Sequence, residues 1–350
     1  ARGARRQLVR IKVTAMIELK QHALNFRFDA VHPQARCSVN FQRTLRIPDD
    51  NRSYPLPAGL GRFPLFHVDD FATTVPPLWN EHGGVFMPMY QSEAMWISFG
   101  GDYPCAIKVA AGKINAVTGK PWSNALSGDP QDYAVIPDQP WLDGFCVKKG
   151  TIRQFVAMPL GEGYTAEEQI TGKAEHGGLQ IIVYPMKAEL WEKLLAERER
   201  ERIGLHEMKL EATFSSEPRA QVEEMGLAPG GLMRQEIYED DYGLDAWDTT
   251  AASRCFVHLV NSEDFVRVTG HRPPTKPISA KEYGDYGMPW FDYYANDAKA
   301  LEGAPVLAGL DSVAARQVKQ GHLPDVPVID IDEDKVRKLG PKAVVRAGRV

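Results

Sequence analysis

No apolar run in this chain approaches the ~20 residues that span a bilayer. The longest lies near Val85-Phe86-Met87-Pro88-Met89-Tyr90. No C-x-x-C joins the four cysteines, Cys37, Cys105, Cys146 and Cys255, so zinc knuckles and thioredoxin-type motifs are excluded. Such scatter reads as buried, reduced thiols. Together with an N-terminus that lacks an apolar signal-peptide core, it is expected of a soluble, cytoplasmic protein. Basic excess is missing too: 41 Lys and Arg against 46 Asp and Glu leave −5 over 350 residues. Mild acidity argues against a nucleic-acid partner, which calls for a basic domain. With 25 Pro and 30 Gly, usage is close to average, which excludes collagen-like and low-complexity chains. Catalytic signatures are also lacking. There is no G-x-S-x-G, no S-x-x-K, no H-x-H and no H-E-x-x-H. Gly161-Glu162-Gly163 has no Lys-Ser/Thr ending and carries an acid where a phosphate would sit. No cofactor is expected, and no reaction is named by the residues.

Alternation of period two is the strongest positive signal. It runs through Val9–Ile17, Leu24–Ala30, Cys37–Ile47 and Met208–Phe214. Successive strand side chains point to opposite faces, so these segments predict half-buried antiparallel strands. Ala94–Phe99, Phe155–Met158, Leu179–Tyr184 and Cys255–Val260 are apolar on both faces and predict covered strands. On such a strand Cys255 and His258 face opposite ways, which argues against a Cys–His pair.

One long helix is predicted over about 187–202, from the Leu190, Trp191, Leu194, Leu195 stripe and Gly204 beyond it. Shorter helices are expected near Asn296–Leu301 and Ser312–Gln320, and hairpin turns at Gly83-Gly84 and Gly230-Gly231. Pro- and Gly-rich loops cover 48–64, 112–130, 159–178 and 271–277. The pattern predicts a mainly β fold, an antiparallel sandwich or jelly roll with one charged connecting helix. Its expected organisation is a β-rich region over 1–185, the helix over 186–203, a β-rich region over 204–310 and an extension over 311–350. These parts are compatible with one continuous domain.

Five stretches carry a resemblance: Lys113–Trp122, Pro137–Gly144, Arg153–Gly161, Tyr164–Gly172 and Pro289–Asp292. Together they resemble a family of uncharacterised bacterial and fungal proteins, some labelled "integral membrane protein". The likeness runs from roughly residue 40 to 310. That family has no established activity, so the resemblance assigns no functional residues. Its membrane label conflicts with the missing span.

Trp141-Leu142-Asp143, Trp247-Asp248 and Trp290-Phe291-Asp292 place a tryptophan one or two positions from an aspartate. An aromatic face for apolar C–H surface beside carboxylates for hydroxyls suits a glycan or small polar ligand. The expected ligand-binding residues are Trp141, Asp143, Trp247, Asp248, Trp290, Asp292 and the loop acid Glu162. The ordinary alternative is tryptophan packing with aspartate capping turns. The densest histidine–acid neighbourhoods are His67-Val68-Asp69-Asp70 and Glu175-His176, which read as loop polar residues. Asp330, Asp332 and Asp334 form D-x-D-x-D, but Lys335 and Pro341 occupy the positions where a calcium loop needs Gly and Glu.

Charge is uneven. Six basic residues against Glu18 give residues 1–20 a net +5, leaving −10 for the remainder of the −5 total. A basic arm on an acidic body suits self-association. Two uses therefore stand: a loop site for a small molecule or glycan, and a non-enzymatic self-assembling protein.

Overall fold

The computed structural model describes residues 15–201, 224–293, 298–324, 326–329 and 331–339. The basic arm up to residue 14, the expected strand Met208–Phe214 and Asp330 lie outside them.

The fold is mainly β and mostly antiparallel, as expected. Its chief strands are β1 (Met16–Lys20), β2 (Ala23–Arg27), β3 (Arg36–Thr44), β4 (Val85–Met89), β5 (Ala94–Gly100), β6 (Cys105–Ala111), β7 (Thr151–Pro159), β8 (Leu179–Pro185), β9 (Glu224–Arg234), β10 (Ser253–Asn261) and β11 (Trp290–Tyr293). One 16-stranded sheet carries the order β1-β2-β3-β5-β7-β9-β10-β8-β6. It is folded over on itself. Cys37 of β3 and Cys105 of β6 are not sheet neighbours, yet both are buried in one shared apolar core.

Alternation sets the faces. In β2, Leu24 and Phe26 are buried while Asn25 and Arg27 are only partly so. In β6 and β8 every residue is buried, which marks strands covered on both sides. Short parallel pairings interrupt the antiparallel rule, and the longest of them joins β10 to β4, Val257 opposite Val85. A smaller three-stranded sheet joins β11 to Leu56–Pro57 and Arg337–Leu339.

The predicted charged helix is α3 (Ala188–Glu201), with Trp191 buried and its indole N–H donated to Gln34 Oε1 at 2.9 Å. Strands from either side of α3 pair directly, Thr151–Pro159 with residues 225–234. Ser312–Gln320 is also confirmed, as helix α7 (Val313–Lys319). Helices α1 (Pro77–His82), α2 (Ala166–Thr171), α4 (Ser262–Thr269), α5 (Ala280–Asp285) and α6 (Pro305–Ala308) were not legible from periodicity. Four of these run six residues or fewer, under two turns. Local chemistry holds α2 and α5 instead. Thr165 with Glu168, and Ser279 with Glu282, make reciprocal capping boxes.

Three expectations are corrected. The described part of Asn296–Leu301 is extended: Ala300 bridges Tyr238, and the Leu301 N–H donates to the Ile237 carbonyl. Gly230-Gly231 is no hairpin turn but lies inside β9. A Cβ at Gly231 would stand 2.2 Å from the Pro48 carbonyl oxygen, so glycine serves close backbone approach there. Gly83-Gly84 closes α1 and enters β4 rather than joining two strands.

All four cysteines are free and buried. No helix among the described residues is long and apolar enough to cross a membrane.

Candidate functional site

The expected ligand residues are distributed among several neighbourhoods. Trp141 is half-buried, with its ring centroid 4.8 Å from Tyr293 and 6.2 Å from Trp96. Asp143 is only 2% exposed. Its Oδ2 accepts the Gln235 Nε2–H at 2.7 Å, and its own N–H donates to Gln235 Oε1 at 2.9 Å. Burial pushes the Asp143 carboxyl up to about 7, against the pull of those hydrogen bonds. Asp292 is also buried and accepts the Arg234 Nε–H at 2.8 Å, while Arg234 reaches Glu333 at 3.0 Å. Trp141 thus meets the strand that carries Asp292, but Asp143 and Asp292 are both engaged inside the protein.

Trp247 and Asp248 belong to another neighbourhood. The Trp247 indole N–H donates to Asp240 Oδ2 at 2.9 Å, an oxygen that also accepts the Tyr133 hydroxyl at 2.6 Å. Asp248 caps a turn by accepting the Thr250 N–H and hydroxyl. Glu162 is exposed, and its backbone carbonyl accepts Gln320 Nε2–H near α7. Asp332 caps a short turn and pairs with Lys335 at 2.7 Å. Among the described residues, no group of three His, Cys, Asp or Glu is placed to hold a metal.

Trp290 differs, because it lines open space. Two clefts, of about 300 and 360 Å³, adjoin each other at Leu45 and Ala280. They separate the end of β3 and the turn before β5 from the 277–290 segment and residues 327–329. One end is aromatic: Trp290 packs on Tyr283 at 5.2 Å. The Tyr283 hydroxyl donates to the Pro289 carbonyl at 2.6 Å and accepts the Ala58 N–H at 2.7 Å, which anchors this wall to the sheet.

The other end is charged and polar, lined by Arg46, Ser92, Glu93 and Ser279. Chain geometry aims Glu93 there. Ser92 sits at φ 67°, a left-handed conformation unusual for a residue with a side chain. The turn is closed by the Glu93 N–H donating to the Tyr90 carbonyl at 3.0 Å. Strain of this kind persists where the surroundings over-determine it, and it concentrates at functional sites. Glu93 is 4% exposed. Burial pushes its carboxyl up to about 7; the Tyr90 N–H and Arg43 pull it part of the way back. Arg43 Nε stands 3.6 Å from Glu93 Oε1, while its Nη2 donates to the Lys276 carbonyl.

No family model, curated protein or solved structure matches the chain. The case for this site therefore rests on its geometry. Glu93, Ser92, Ser279 and Tyr283 escaped the sequence reading. One signal was available for Glu93: an acid flanked by two strands that are apolar on both faces is set where burial will neutralise it.

Proposed function

We propose that the protein binds a small hydroxyl-rich molecule, of the sugar class, in the cleft between Trp290 and Glu93. The supporting observation is the pairing of an aromatic wall with a buried carboxyl across adjoining clefts of about 300 and 360 Å³. Volumes of this size suit a mono- or disaccharide-sized ligand. Trp290 and Tyr283 offer ring faces to C–H surface. Below pH 7 the Glu93 carboxyl keeps its proton and both donates and accepts, as a hydroxyl partner requires. Ser92, Ser279 and Arg46 add further polar groups around it. Of the two acids that line the described clefts, Glu93 is buried and Asp285 is exposed, and the function proposed is binding.

The test is saturation-transfer NMR with a panel of neutral mono- and disaccharides, followed by calorimetric titration of those that respond. Trp290→Ala is expected to weaken binding at least tenfold while the protein stays folded. A panel without saturable binding, or full affinity retained in Trp290→Ala, would sink the reading.

A further inference from the structure

A second face of the sheet, outside the cleft, is built from rings and cations. Arg254, Phe256 and His258 alternate along β10 and project away from the core, because Cys255, Val257 and Leu259 take the core side. His82, at the end of α1, lies flat on Phe256 at 4.3 Å and 7°. Trp79 covers His258 at 4.6 Å. His176 adjoins His82 at 5.7 Å. The Arg254 guanidinium sits 4.4 Å from the Phe256 ring and 5.4 Å from the Trp122 ring, clamped by cation–π contacts.

The clamped guanidinium meets only neutral acceptors. Arg254 Nη1 donates to Asn124 Oδ1 at 3.4 Å, and Nη2 donates to Gln180 Oε1. Among the described residues no carboxylate pairs with it. A guanidinium has five N–H donors in a rigid fork. Two are used here, which leaves three. Charges of both signs lie nearby, with Glu81 and Glu175 acting against the cations on His82 and His176. After burial, the Arg254 charge is the largest influence holding His82 below its ordinary range, and Lys113 holds that place for His176. Lys113 itself is paired with Glu175 at 2.8 Å.

We propose that Arg254, flanked by His82 and His176, is a receptor for a small oxyanion, a carboxylate or a phosphate. The fork of a guanidinium held by ring and amide contacts matches two oxygens of such a group, and those contacts lower the rotamer freedom lost on binding. The site stands independently of the Glu93 cleft.

The test titrates inorganic phosphate and acetate separately, at an ionic strength fixed with chloride. The imidazole C–H resonances of His82 and His176, assigned with His82→Gln and His176→Gln, report occupancy. Saturable shifts are expected with at least one anion. The dissociation constant should rise at least tenfold in Arg254→Gln and less in Arg254→Lys, which keeps charge but not the fork. Tighter binding of phosphate assigns a phosphate ligand, and tighter binding of acetate a carboxylate. Shifts that grow linearly with both anions overturn the proposal, as does unchanged affinity in Arg254→Gln. Should Arg254→Gln fail to fold, parent affinity in folded Arg254→Lys overturns it equally.

Discussion

Asp143 separates what a residue type announces from what its surroundings make of it. Beside Trp141 it reads as a ligand-facing carboxylate. Its partner, Gln235, lies 92 residues away and is invisible to any local pattern. Once buried, the carboxyl holds its proton to about 7, against an ordinary 3.8. A folded pKa raised above the unfolded one gives stability that is complete below about pH 4 and is lost as pH climbs to 7. Asn at this position keeps the shape and cannot ionise. Asp143→Asn is therefore expected to match the parent near pH 4 and to exceed it by about 4 kcal/mol at pH 8. Urea unfolding at the two pH values measures this. An equal offset at both would show that burial does not govern Asp143.

Elements divide by the reach of the forces that make them. The alternating strands were legible because period two is a local consequence of one face meeting the core, as Cys37, Val39 and Phe41 do. The α3 stripe was legible for the same reason. Gly230-Gly231 was misread because one dipeptide serves two purposes, a turn and a close approach, and only the neighbour decides. That neighbour is the Pro48–Ile47 segment, 2.2 and 3.0 Å from the position of a Gly231 Cβ. The parallel edge pairing of β4 with β10 joins Val85 to Val257, a separation no local pattern carries. The close approach makes a sharp prediction. Gly231→Ala forces backbone against backbone inside a central strand and should cost at least about 2 kcal/mol. Gly150→Ala is the comparison: its φ is +68° but nothing lies within 4 Å, so only conformational strain of about 1 kcal/mol applies. Thermal denaturation of both variants orders them. Equal losses would mean that the strand moves aside and the close contact at Gly231 carries no cost.

At the scale of the molecule, buried groups of opposite sign set the response to pH. Glu93 on one side of the sheet is held protonated to about 7, and His258 on another face is held neutral to about 4, burial being the first cause in each. Their windows overlap with opposite slopes. Stability from Glu93 is full below 4.5 and lost as pH rises to 7. Stability from His258, whose unfolded value is 6.5, is full above that and lost as pH falls to 4. Each titration has a limiting slope of about 1.4 kcal/mol per pH unit, so between pH 4.5 and 6.5 these two offset, and an Asp143→Asn background, which removes the further falling slope of that carboxyl, is expected to vary little. Removing either arm uncovers the other. In Glu93→Gln made in that background, stability should rise as pH goes from 4.5 to 6.5. In His258→Phe, which keeps a ring against Trp79, stability should rise as pH falls across the same span. Denaturant titrations at half-unit steps give the three profiles, and the slopes decide the matter whatever baseline shift each substitution brings. Parallel profiles would show that neither group is titrating differently in the fold and in the unfolded chain. The neutral Glu93 on which sugar binding rests would then be lost as well, so one set of curves bears on both the stability and the site.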